Sequence, residues 1–106
     1  MNIIIKSVDF RAGNALKTFV RNKVSKLFRQ YDSIIRANVV LRIGESKNPE
    51  NKSCEIRLVV PGYDHFVKKS AGEYQTSVSQ SVNVLQEILR RSKTKVLTRR
   101  QIGSIF

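Results

Sequence analysis

One stretch constrains the architecture more than any other. Leu16, Phe19, Val20, Val24, Leu27, Phe28 and Tyr31 recur at helical spacing, so a helix from about Gly13 to Arg29 carries one apolar stripe. Such a stripe must be buried against another element, and the flanking sequence supplies a sheet. Asn2 to Val8 is short and β-branched and reads as a first strand. From Arg36 to Ile43 the pattern alternates, with Ala37, Val39, Leu41 and Ile43 facing one way and Arg36, Asn38 and Arg42 the other. Gly44 to Lys52 is polar, contains Pro49, and reads as a loop. Ser53 to Val60 alternates again, with Cys54, Ile56, Leu58 and Val60 inward. Pro61-Gly62 makes a turn, and Tyr63 to about Ser70 returns as a fourth strand whose facing is ambiguous, because Phe66 and Val67 are adjacent. A second helix is expected from about Gly72 to Lys95, with Tyr74, Val78, Val82, Leu85 and Leu89 as its stripe. Ser77, Ser79 and Ser81 are mediocre helix formers, so packing must hold its start.

The expected fold is therefore α+β in two layers, in the order β-α-β-β-β-α, a four-stranded sheet with two helices on one face. Two strands joined through a helix should be parallel neighbours, and the short later connections imply antiparallel hairpins. Each helix then follows a strand of the same direction, so the two helices run parallel. Their C-terminal ends meet, bringing Lys26 and Arg29 beside Arg90, Arg91, Lys93 and Lys95. A chain of 106 residues has room for one core. That domain is expected over residues 1–95, with 96–106 as a basic C-terminal tail, disordered or docked through Ile102, Ile105 and Phe106.

Charge narrows the function. Twenty Lys and Arg face eight Asp and Glu, a net +12. Phe10 to Tyr31 has no acid and six basic residues, as does Ile88 to Phe106; outside these tracts eight basic residues face the eight acids. Solubility alone would intersperse the signs, because like charges in one patch repel. Basic residues near helix C-termini also favour the macrodipole by roughly 0.3–1 kcal/mol each. That accounts for two or three of them and not for two acid-free tracts. A polyanion is the expected partner, and RNA and DNA are the leading candidates.

Other classes fare worse. His65 sits beside Asp64 in a strand, where neighbours point to opposite faces, and Cys54 lies on an inward face. No Cys/His spacing suits zinc and no glycine-rich phosphate loop is present. The protein is expected not to be an enzyme and to need no cofactor, metal or small-molecule substrate. One cysteine excludes an internal disulfide, and the apolar run Ile3-Ile4-Ile5 is too short for a signal core or a membrane span. A cytoplasmic protein with no membrane partner is expected.

The stretch Phe19-Val20-Arg21-Asn22-Lys23-Val24-Ser25-Lys26-Leu27, followed by Tyr31-Asp32 and Ile34, resembles the first helix of the ribosome hibernation promoting factors, also called ribosome-associated inhibitor or sigma-modulation proteins. Asn38 to Ile43 looks like that family's second strand, and Cys54-Glu55-Ile56-Arg57 with Val60-Pro61-Gly62 is similar to the third strand and turn of its short members. The likeness runs from Met1 to about Lys95, and the family's β-α-β-β-β-α fold agrees with the order read from periodicity. The resemblance implies a ribosome-binding inhibitor of translation. It would occupy the decoding region of the small subunit, contact its rRNA, and store ribosomes in an inactive state under stress. Basic family positions carry over to Lys23, Lys26, Arg42, Arg91 and Lys93, while Arg29, Arg90 and Lys95 are added by the charge distribution. The long members' separate dimerising domain has no counterpart here, so a free monomer that does not by itself pair ribosomes is expected. A double-stranded RNA-binding module, suggested by Lys68-Lys69, and a protein-binding transcription regulator are the competing readings.

Overall fold

In the computed structural model the backbone is described for residues 1–105 and side chains for residues 1–91. The elements are β1 (Ile3–Val8), α1 (Asn14–Gln30), β2 (Arg36–Ile43), β3 (Lys52–Val60), β4 (Tyr63–Ala71) and α2 (Tyr74–Ile105). Every element read from periodicity is present, in the expected order. α2 extends beyond Lys95, where the sequence pattern ended it.

The four strands lie in chain order, β1-β2-β3-β4. β1 pairs parallel with β2, and β2–β3 and β3–β4 are antiparallel. Both helices thus follow strands of one direction and run parallel to each other. The register explains the core. Val39 opposes Ile56, which opposes Val67, and Leu41 opposes Cys54, so residues of one parity from three strands form a continuous apolar sheet face. Val20, Val24 and Leu27 of α1 and Val78, Val82, Leu85 and Leu89 of α2 cover it, all buried. Leu16, Phe19, Phe28 and Tyr31 pack half-buried at the margin.

Three local features depart from the simple pattern. Ile43 was expected inward and is 37% exposed. β1 ends at Val8, opposite Arg42, so no neighbouring strand covers Ile43 on that side. The ambiguity in β4 is settled by the helices: Val67 is buried beneath them, and Phe66 is 50% exposed on the opposite face. Two serines of α2 are structural. Ser77 and Ser81 are fully buried, the Ser77 hydroxyl donating to the Tyr74 carbonyl at 3.1 Å and the Ser81 hydroxyl to the Ser77 carbonyl at 2.8 Å. Small side chains that satisfy themselves on the preceding turn let the helix lie close to β3, where Ser81 also reaches the Cys54 carbonyl at 3.5 Å.

The β3–β4 hairpin needs its glycine. Val60 pairs with Tyr63 across a two-residue loop, and Gly62 sits at φ +92°, a region that a side chain strains. Proline followed by a positive-φ glycine is the residue pattern of a type II turn.

Candidate nucleic-acid interface

α1 carries its cations on the surface left after the stripe is buried. Lys26 and Arg29 are exposed, and neither forms an ion pair among the described residues. Arg29 lies in the last turn, where the macrodipole favours a cation, and the helix closes with the Tyr31 amide donating to the Leu27 carbonyl at 3.0 Å. Lys23 is half-buried, its ammonium 5.6 Å from the centre of the Phe19 ring. Its stem therefore lies along the helix rather than standing free in water.

The helices run side by side, but their C-terminal ends do not meet as expected: α2 has 32 residues against 17 in α1, so α1 ends against the middle of α2. The side-chain amide of Gln30, the last residue of α1, donates to the Gln86 carbonyl at 3.0 Å, one turn of α2 before Arg90. This junction sets the end of α1 against the start of the basic stretch of α2. Arg90 and Arg91 are both exposed there. Lys93 and Lys95 have side chains outside the described residues.

Two expected site residues are not free cations. Glu87 accepts from Arg90 Nη2 at 2.6 Å and from Arg91 Nε at 3.2 Å. The Arg90 hydrogen bond, with help from Arg91, holds the Glu87 carboxyl below its ordinary value, and Glu87 holds Arg90 above its own. Together these three residues carry +1 rather than +2. The signal was in the sequence, because Glu87 stands three and four residues before two arginines, the spacing at which helical side chains meet. All three groups are solvent-exposed, so the ion pairs are weak and an incoming phosphate can compete for the guanidinium groups.

Arg42 is elsewhere altogether. It lies on the sheet face opposite the helices, ion-paired with Glu55. Register makes this pair: Arg42 opposes Ser53 and Val40 opposes Glu55, so Arg42 and Glu55 are diagonal neighbours. The structure therefore joins the end of α1, just after Arg29, to α2 one turn before Arg90, and leaves Arg42 on a different surface. That surface also carries Arg36, which alternation puts beside Arg42, together with Lys6, Arg57 and Lys68, which the register brings to the same face.

No enzyme-like constellation appears among the described residues. Groups of three His, Cys, Asp or Glu able to hold a metal are absent there, and no described helix is long and apolar enough to cross a membrane. Burial pushes the His65 imidazole below its ordinary value against the opposing pull of Asp64. Burial likewise pushes the Cys54 thiol up to about 12, with Glu55 adding to the rise and a Ser81 hydrogen bond opposing it. A thiol so rarely ionised is a poor nucleophile. Native protein at pH 8 is expected to leave a disulfide reagent such as dithiobisnitrobenzoate unreacted, with one equivalent released on denaturation. Rapid release from the native protein would contradict this burial.

Comparison with known proteins supplies the context for this surface. Residues 3–97 match the family described as sigma 54 modulation protein / S30EA ribosomal protein. The chain is 29% identical over 89 residues to the ribosome hibernation promotion factor of Deinococcus radiodurans, an alignment covering 83% of this chain and 47% of that protein. It thus spans about half the length of that curated relative. The N-terminal domain of Protein Y from Thermus thermophilus superposes with a TM-score of 0.75 at 24% identity, covering 86% of this chain and 98% of that one. A ribosomal subunit interface protein from Coxiella burnetii gives the same TM-score at 18% identity, covering 89% and 99%. These two likenesses establish the shared β-α-β-β-β-α architecture. With the family match extending from the first strand into the second helix, the chain belongs to the sigma 54 modulation / S30EA ribosomal protein family.

Proposed function

We propose that this protein binds the small ribosomal subunit and holds it inactive, laying the surface where the end of α1 meets the middle of α2 against rRNA in the decoding region. The observation that carries this reading is the Gln30–Gln86 contact, which ties α1 one residue after the exposed Arg29 to α2 one turn before the exposed Arg90 and Arg91. Folded RNA is recognised largely through shape, phosphates and ribose hydroxyls, and helix-borne guanidinium and ammonium groups suit such contacts. Lys23, Lys93 and Lys95 are the further contacts proposed for α1 and α2, while Arg42, on the opposite sheet face, lies outside that surface. The names of the relatives, a hibernation promotion factor and a subunit interface protein, support a ribosomal partner. No covalent chemistry is needed, and the protein acts in the cytoplasm, where ribosomes are.

The test is binding of purified protein to isolated small subunits, followed by sedimentation. Saturable binding that falls steeply between low and physiological salt is expected, because each phosphate contact releases counterions. Equal binding to heparin, with no preference for subunits, would defeat the proposal.

A further inference from the structure

The helices cover only one face of the sheet. On the other face the register builds a row across all four strands, Ile4–Asn38–Arg57–Phe66. Phe66 ends this row with its ring 50% exposed. The Arg57 guanidinium lies 5.3 Å from the centre of that ring and is held there by Asp64, whose carboxylate accepts from Arg57 Nη1 at 3.3 Å. An aromatic ring and a tethered guanidinium thus lie side by side on an open sheet, both available to flat ligands. Around them are Lys6, Arg36, Arg42 and Lys68, set against only Glu55 and Asp64, so five cations including Arg57 minus two carboxylates leave +3 on this face. Lys6, Arg36 and Lys68 form no ion pair among the described residues.

We propose that this face is a second RNA surface, a stacking platform for a single-stranded segment. One base lies on Phe66 and Arg57, and the adjoining phosphates run along Lys6, Arg36 and Lys68. The reasons are physical. A half-exposed ring on a strand centre is a favourable site for a π-face, and every base offers one. A tethered guanidinium adds a second planar, cationic stacking surface. Net positive charge favours a polyanion over an apolar protein partner, which would leave those charges desolvated and unpaired. Four-stranded sheets that stack bases on exposed aromatics are a general solution to single-strand binding. The platform faces away from the helix-end surface, so one molecule can touch a folded RNA and an unpaired strand at once. The inference shares with the proposed function only the premise that RNA is the partner.

An oligouridylate octamer tests it, since it is single-stranded and offers no folded shape to the helices. Phe66→Trp places a fluorescent ring at the stacking position of a chain that has no other tryptophan. Titration is expected to quench its emission, as a stacked base does. Phe66→Leu, which keeps apolar bulk and loses the π-face, is expected to weaken octamer binding about tenfold. Because Phe66 is on the surface, circular dichroism and melting of both variants should match the parent. The Lys26, Arg29, Arg91 and Lys93 to Glu variant serves as the control for the other surface. If it loses small subunits but its octamer binding still depends on Phe66, both surfaces stand. If octamer binding survives Phe66→Leu unchanged, leaves the F66W emission unquenched, or is absent in the parent protein, the platform is wrong, whatever the helix-end variant does.

Discussion

Replacing Lys26, Arg29, Arg91 and Lys93 together with Glu is expected to abolish small-subunit binding and leave the domain folded. Lys26, Arg29 and Arg91 are exposed and support no core contact. Arg91→Glu removes one arm of the Glu87 ion pair and sets two carboxylates four residues apart, which costs a few tenths of a kcal/mol. Surface changes elsewhere usually shift stability by less than about 0.5 kcal/mol each, and relief of repulsion within a basic patch works in the opposite direction. Far-UV circular dichroism and most of the melting temperature are therefore retained. Binding behaves differently. A phosphate contact forfeited at about 0.15 M salt removes roughly 0.7 log unit of affinity, so four together remove about a thousandfold before the repulsion from four new carboxylates is counted. The salt slope should flatten by about four. A variant that still sediments with small subunits and blocks translation in an extract would move the RNA site to another surface.

Leu27→Ala should produce the opposite order of damage. Leu27 is fully buried in the α1 stripe, facing a core completed by Val78, Val82 and Leu85 of α2. Truncation loses transfer free energy and leaves a cavity, together about 2–5 kcal/mol. For a domain of this size that is a large share of total stability, and the melting midpoint should fall by roughly ten degrees or more. The exposed cations are untouched, so binding at low temperature should survive in proportion to the folded fraction. Thermal melts and low-temperature sedimentation of the two variants side by side separate stability from recognition. Loss of binding by Leu27→Ala while still folded would mean that the geometry of the helix surface, and not its charge alone, makes the site.

Neighbouring side chains on one element were legible in the sequence because their spacing is set by the backbone. The stripes Val20–Val24–Leu27 and Val78–Val82–Leu85–Leu89, and the alternation Cys54–Ile56–Leu58–Val60, are buried as their periods require. Strand order and parallel helices followed from connection lengths. The Glu87–Arg90–Arg91 cluster was equally local, its members set three and four residues apart on one helix. Segregation measured along a chain says nothing about which guanidinium already has a carboxylate.

What the sequence determined by itself was thus periodic or local: which residues form each element, which stripe is buried, and that an excess of positive charge resides in two helices. Only the tertiary structure decided which of those charges share a surface. Alternation already put Arg42 on the outward sheet face, but its ion pair with Glu55 comes from strand register, which sets the two diagonally. Phe66, adjacent to the buried Val67, points to water because the helices cover one face of β4 and leave the other open. Register and coverage are contacts between residues far apart in the chain, and no local period encodes them.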